Sequence, residues 1–332
     1  MKKIIACIAI GAMALVSASA ARAEVTELRV PLGAGGFGFL PLHMMKKYQL
    51  VEKEATKAGL KLNVNYANIG GPAVMNDALL SGSADFISAG PPAFLILWDR
   101  TKGKGDVMGV AAMSTIPMYL NTKAEHVKSL ETLKEDDKIA VTAVKVSIPS
   151  IIMQMYAKKQ NKDVFAYDKY TVSMQHPDAV VAILSGNKQV TAHYASAPFH
   201  QREIKEGART IQNTNDVMGG PQTFTMISTT KKFQSENPKV YAAFVAALKE
   251  SFDMIKKDKK AAAEVLLESM GGKGWDIGEL ATMLDDKDTY FSTKPEGVMQ
   301  YADFMHSIGS LKNKAASLDD LFFDAKSLGG GN

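Results

Sequence analysis

The apolar positions along the chain alternate between two periods: short runs that read as strands, and stripes at helical spacing. One arrangement of these runs occurs twice. "ALLSGSADFISAGPPAF" (residues 78–94) resembles "AILSGNKQVTAHYASAPF" (residues 182–199). Each is the end of an apolar-faced helix, a Ser-Gly stop, a short strand, a small-residue loop and a proline that opens the next helix. Gly82 and Gly186 suit the left-handed position after a helix. Pro92 and Pro198 suit a first helical turn, where a missing N–H costs nothing. Upstream, "VPLGAGGFGFLP" ending at Pro41 parallels "VTAVKVSIP" ending at Pro149, and "GGPAVMNDALLSG" parallels "QHPDAVVAILSG".

The pattern predicts two β-α-β-α-β modules, about residues 26–114 and 138–214, whose loops after the strands converge at the C-terminal sheet edges where ligands bind. "MSTIPMYLNT" (113–122) and "PQTFTMISTT" (221–230) are β-prone and flank the second module, as crossover strands would. Beyond residue 230 the pattern is helical. In "SENPKVYAAFVAALKESFDMIKKDKK", Val240, Phe244, Leu248, Phe252 and Ile255 form one apolar face, expected to pack back on the first module. The final "SLGGGN" is expected to fray.

The first 23 residues stand outside this pattern. Lys2 and Lys3, the apolar run "IIACIAIGAMALV" and "ARA" at residues 21–23 have the order of a cleavable export signal. That run of about 13 residues is shorter than the roughly 20 that span a bilayer. Cleavage would remove Cys7, the single cysteine, and with it disulfides, thiolate metal sites and cysteine nucleophiles. It would also leave 36 basic against 35 acidic side chains, so the formal +4 of the whole chain gives no support for nucleic-acid binding. A soluble exported protein, inserting no segment in a membrane and long enough for two domains, is expected.

"ELRVPLGAGGFGFLPLHMMKK" (27–47) contains a literal GxGxxG at Gly33, Gly35 and Gly38. A dinucleotide site would also need an acidic residue at the end of the second strand. That strand, "LKLNVNYANIGG", has none, and Glu52 and Glu54 fall in the preceding helix. The glycines instead let backbone approach a ligand, with Gly36, Phe37, Gly38 and Phe39 as candidates. Gly70 and Gly71 before Pro72, and Ser88 and Gly90 before Pro91, form two further cleft loops. In the second module "AVKVS" offers Lys145, Val146 and Ser147, and "TAHYASA" offers His193 and Tyr194. Lys145 near a helix N-terminus would favour an anion, though a solvated loop lysine reads equally well. Tyr194 either stacks on a ligand or caps the core, and Trp98 reads as packing.

The six histidines at 43, 126, 176, 193, 200 and 306 form no H-x-x-x-H or H-E-x-x-H pair. The methionines are scattered over apolar faces as core filler, and no G-x-S-x-G elbow occurs. No cofactor, no metal and no enzymatic activity are expected.

The signal segment, the glycine-rich loop with its proline-started helix, the "AL-LSG-S-AD" stretch and "FQSENPKVYAAFVAAL" together resemble extracytoplasmic solute-binding proteins of ABC importers, of the nitrate/sulfonate/taurine type. The resemblance implies an α/β, type II periplasmic-binding fold. Two α/β domains (24–114 plus 222–332, and 115–221), joined by two crossover strands, would close over a small-molecule ligand in the periplasm. It implies docking of the closed form on a membrane permease; a monomer is expected. One departure is visible: Asp85 follows the Ser-Gly stop in the first module, where the second has Gln189. The implied ligand is a small sulfonate-, taurine- or nitrate-like anion. None of Arg29, Arg100, Arg202 and Arg209 falls in a cleft loop, although bidentate oxyanion capture commonly uses arginine. A flat aromatic or pyrimidine solute therefore stays open. So do a dehydratase-like enzyme with His193 and Lys145 as acid and base, and a sensor subunit of the same fold.

Overall fold

The computed structural model describes residues 23–33, 35–186 and 190–329. Residues 1–22, which hold Cys7 and nearly all of the expected signal segment, lie outside them, as do Gln189 and the last three residues. In chain order the elements are β1 (Glu27–Pro31), α1 (Leu40–Tyr48), α2 (Leu50–Lys57), β2 (Asn63–Ala67), α3 (Pro72–Leu80), β3 (Ile87–Ala89), α4 (Pro91–Thr101) and β4 (Val107–Thr115). The second repeat comprises β5 (Tyr119–Thr122), β6 (Ile139–Val141), α5 (Ile148–Lys159), β7 (Thr171–Ser173), α6 (His176–Leu184), β8 (Ala192–Ala195), α7 (Phe199–Lys205) and β9 (Arg209–Asn213). There follow α8 (Thr214–Met218), β10 (Thr223–Thr230), α9 (Lys231–Glu236), α10 (Pro238–Lys257), α11 (Lys259–Ser269), α12 (Ile277–Met283) and α13 (Val298–Ser307). No helix among the described residues is long and apolar enough to cross a membrane.

The repeat is real in three dimensions. The second sheet runs β7-β6-β8-β5-β9, with β6 parallel to β7 and β8, and β5 antiparallel to β8 and β9. The first lays its strands in the equivalent order, β2-β1 and then β3-β10-β4, with β10 antiparallel to both neighbours. Each sheet thus holds one antiparallel strand that belongs to a connection with the other: β5 follows β4 directly, and β10 returns after α8. A sheet with its flanking helices is called a lobe below.

The first sheet departs from the expected continuous ladder between β1 and β3. The Asp85 carboxylate accepts the backbone N–H of Arg29 at 2.8 Å and its Nε–H at 3.0 Å, and Asp85 Oδ1 lies 2.6 Å from the guanidinium Nη2. A side chain takes the donor that strand pairing would use. Only Asp85 N–H at 2.9 Å and a long bond from Phe86 N–H at 3.4 Å reach the Arg29 carbonyl.

The C-terminal helices cover the first lobe. Along α10, Val240, Phe244, Leu248 and Ile255 are buried, and the helix lies against α1 and α2. Phe244 stacks on Phe86 with ring centroids 4.0 Å apart and planes 6° from parallel, while Phe233 meets Phe86 edge-on at 5.2 Å. Each such ring pair contributes about 0.5–1.5 kcal/mol beyond its buried area. Trp98 is packing: it is buried, and its indole N–H donates to the Asp320 carbonyl at 3.0 Å. The tail segment also closes the edge of β4, since Gly109 N–H donates to the Leu321 carbonyl and Phe323 N–H to that of Gly109.

Candidate functional site

Five helices begin at one cleft between the lobes. The residues preceding α1, α3, α4, α5 and α6 are Phe39, Gly71, Gly90, Ser147 and Gln175, and all five line it. Each helix has a proline in its first turn, and none has a side chain capping its free N–H groups. The sequence folds this way because a short strand delivers the chain to the sheet edge, a small residue turns it, and proline presets the helical φ. Because α1 continues a 3-10 turn and its Leu40 N–H is taken by the Phe37 carbonyl, four helices, α3 to α6, bring uncapped positive ends to one volume.

The side chains lining it add almost no charge. Phe39, Met75, Met118, Val146, Ile148 and Phe224 make most of the wall apolar, and no lysine, arginine or carboxylate lines it. Two buried polar atoms lack partners: the Ser88 hydroxyl and Gln175 Oε1. The Ser147 hydroxyl is already committed, donating to the Ala143 carbonyl at 2.6 Å.

The lobes touch around this cleft through glycines. A Cβ on Gly71 would lie 3.1 Å from Gln175 Nε2, and one on Gly90 would lie 2.9 Å from Ile148. Gly36, at φ 81°, leaves no room either: a Cβ there would meet the Ala197 carbonyl oxygen at 3.1 Å. Beside it, Phe37 N–H donates to that same carbonyl at 3.2 Å.

Of the residues expected from sequence, Phe39, Gly71, Ser88, Gly90, Val146 and Ser147 line the cleft. The others lie elsewhere, for identifiable reasons. Lys145 is exposed outside the lining; its backbone takes φ 66° and its N–H donates to Ser150 Oγ at 3.1 Å, so the loop turns the residue away. Tyr194 is fully buried and donates its hydroxyl to Gln212 Oε1, which makes it core. Phe37 is likewise buried, and Gly38 is covered by the Phe224 ring. Gly36 serves the contact between lobes, and a Cβ added at Gly70 would lie 3.8 Å from Gln175 Oε1. Gly33 and Gly35, the first two glycines of the GxGxxG, belong to a separate groove with His43, Phe199, Arg202, Lys273 and Trp275.

His193 stands one layer behind the cleft. It has no exposed surface, and its Nε2 lies 2.9 Å from Nδ1 of His176, which does line the cleft. On the other side His193 Nδ1 lies 2.6 Å from Glu203 Oε1, and Glu203 Oε2 accepts from Asn121 Nδ2 at 2.8 Å. Burial holds His176 well below the usual histidine pKa, with His193 adding to the effect. Burial likewise depresses His200 to about 4. His176, Gln175, Thr142, Phe224 and Thr225 are cleft residues that sequence reasoning missed. The signal for the first two was present, since "QHPDAVV" matches "GGPAVMN" at the opening of α3. Among the described residues no group of three or more His, Cys, Asp or Glu side chains is placed to hold a metal ion.

A family model described as the NMT1-like family matches residues 36–268. The chain belongs to the NMT1-like family. No curated protein sequence matches it. Among solved structures it is similar to the periplasmic aliphatic sulphonate binding protein SsuA of Escherichia coli, with TM-score 0.65 and 18% identity over 90% of this chain and 92% of that one. It is also similar to the alkanesulfonate-binding protein SsuA of Xanthomonas axonopodis pv. citri bound to MOPS, with TM-score 0.67 and 16% identity over 88% and 96%. A third is the periplasmic nitrate-binding protein NrtA of Synechocystis PCC 6803, with TM-score 0.66 and 14% identity over 90% and 84%. At these identities the likeness concerns the fold, which is the periplasmic-binding fold expected from the sequence.

Proposed function

We propose that this NMT1-like protein is the periplasmic solute-binding component of an ABC importer, a monomer that captures a small anion between two domains and carries it to a membrane permease. The observation that carries this reading is the convergence of four uncapped helix N-termini, those of α3 to α6, on one cleft. Backbone N–H groups and aligned dipoles recognise an anion without a cationic side chain, which removes the difficulty posed by the absence of an arginine there. The domains would be residues 24–114 with 222–332, and 115–221, hinged where β4 passes to β5 and where α8 passes to β10. An occupied cleft would favour the closed form through contacts from both sides.

The apolar wall supports an anion with an apolar body, such as an alkanesulfonate, ahead of nitrate. Gln175 Oε1 would accept from an N–H or O–H on the solute, as taurine has. Phe39 and Phe224 favour one second reading, a flat aromatic acid. The solved structures it is similar to are named as binding proteins, which supports a carrier rather than an enzyme.

A thermal-shift screen over alkanesulfonates, taurine, nitrate, aromatic acids and pyrimidines tests the reading, because a bound ligand raises the melting temperature. Stabilisation by sulfonates or nitrate is expected. Stabilisation by neutral pyrimidines alone would overturn the anion, and conversion of a bound solute during incubation would overturn the carrier.

A further inference from the structure

The hydrogen-bond chain behind the cleft has a property that the helix N-termini do not supply. Glu203 has no exposed surface, and its two carboxylate oxygens face His193 Nδ1 and Asn121 Nδ2. A buried carboxylate needs donors, so His193 carries a proton on Nδ1. Its Nε2 faces His176 Nδ1 at 2.9 Å, and one proton must lie between those two nitrogens.

The pair holds either two ring protons or three. With both rings neutral, His193 Nε2 is a bare acceptor, so the proton comes from His176 Nδ1 and leaves His176 Nε2 a bare lone pair. With one more proton on the pair, His176 Nε2 bears an N–H whichever ring donates across the 2.9 Å contact. His176 lines the cleft, and Nε2 is its only ring nitrogen without a protein partner among the described residues. A single proton therefore converts this free ring nitrogen of a cleft-lining residue from an acceptor, which repels an anion, to a donor, which binds one.

We propose that His176 contacts the anionic solute through Nε2–H and that binding draws one proton onto the His176–His193 pair, with His193 and Glu203 as positioning residues. The proposal rests on the anion-binding reading above. From α7 the pair meets Glu203 and the Phe199 ring, with His200 one step away on Asn121; α6 carries Asp178 in its exposed first turn, and β5 and β6 bring Asn121 and Ala140. The depressed pKa of His176 agrees with a pair that holds no extra proton while the cleft is empty.

Ethanesulfonate, nitrate and benzoate are titrated into the full chain by calorimetry at pH 7.5, in buffers of different ionisation enthalpy. The dissociation constant is also measured from pH 6.5 to 8.5. Uptake of about one proton per anion is expected, with affinity weakening roughly tenfold per pH unit. His176→Gln and His193→Gln are each expected to abolish the uptake and flatten the profile. Binding by the wild-type chain with no proton uptake overturns the proposal and leaves the carrier reading intact, whatever the variants do. Failure of all three anions to bind overturns the proposal and the anion-binding reading together.

Discussion

Gly90, at the start of α4, lies against Ile148, which opens α5 in the other lobe: a Cβ added at Gly90 would come within 2.9 Å of both Ile148 Cγ1 and Cδ1. It would also lie 3.2 Å from the Phe224 carbonyl oxygen, which belongs to a strand and cannot swing aside as an isoleucine tip can. Because φ at Gly90 is −72°, alanine adds no backbone strain, and its whole effect falls on the approach of the lobes. Gly90→Ala is expected to disfavour the closed arrangement by about 1–2 kcal/mol. Solute affinity should weaken roughly 5- to 30-fold, and Ile148→Val in the same chain should restore part of it. Calorimetry of the two variants checks this; equal affinity of Gly90→Ala and wild type would show that closure does not require this contact.

Ser88 supplies the opposite kind of test. Its hydroxyl is buried in the cleft wall with no partner, so removing it leaves no orphan behind. Ser88→Ala should leave the melting temperature of the empty protein unchanged or slightly raised. Affinity for the solute should fall by about 1 kcal/mol, the net worth of one hydrogen bond. A lower melting temperature with unaltered affinity would mean that the hydroxyl serves the fold.

Lys145 sits at φ 66°, a region that costs a side-chain-bearing residue about 1 kcal/mol or more and glycine little. Lys145→Gly should therefore stabilise the protein by about 0.5–1 kcal/mol, less the greater freedom that glycine has in the unfolded chain. Binding should be unaffected, since the side chain lies outside the cleft lining. Denaturant midpoints and calorimetry read the two effects separately. A large loss of affinity would return Lys145 to the site.

Acid should destabilise the empty protein in a defined window. Burial pushes His43 down to about 4, with Lys46 adding to it, and burial pushes His200 to about 4. Both fall below the ordinary value near 6.5, so the unfolded chain binds protons that the folded one refuses. Their stabilisation is full above pH 6.5 and is lost as pH falls toward 4. The upper bound is about 1.4 kcal/mol per pH unit for each histidine, and solvent screening lowers it for the less buried His200. Urea midpoints at pH 7.5, 6 and 5 should show the decline. His43 also buries an unpartnered Nε2, so His43→Leu should make the decline shallower; an unchanged slope would assign it to other groups.

The fold was legible because its signals are local. The duplicated order of helix stop, short strand and proline marks strands and helices alike, and the prolines at 41, 72, 91, 149 and 177 stand at the starts of the five helices that meet at the cleft. Which loop atoms face inward was much less legible. Lys145 and Ser147 are two residues apart, and a left-handed turn at Lys145 sends them to opposite fates. His193 was singled out as a polar residue on a strand end, but strand alternation cannot tell a first layer from a second. Its partner His176 lies 17 residues earlier, and only the pairing of β6 with β7 and β8 brings the two rings together. The GxGxxG matched a motif whose spacing it shares, yet its glycines divide between a groove and a packing contact.

The traded strands β5 and β10 also impose an order of assembly. As the ribosome releases the chain from its amino end, all five strands of the second sheet are available once residue 213 has emerged. The first sheet still lacks β10 between β3 and β4, although its other four strands were made earlier. The lobe begun first is thus completed last, and until then it exposes two unpaired strand edges to whatever escorts the newborn polypeptide.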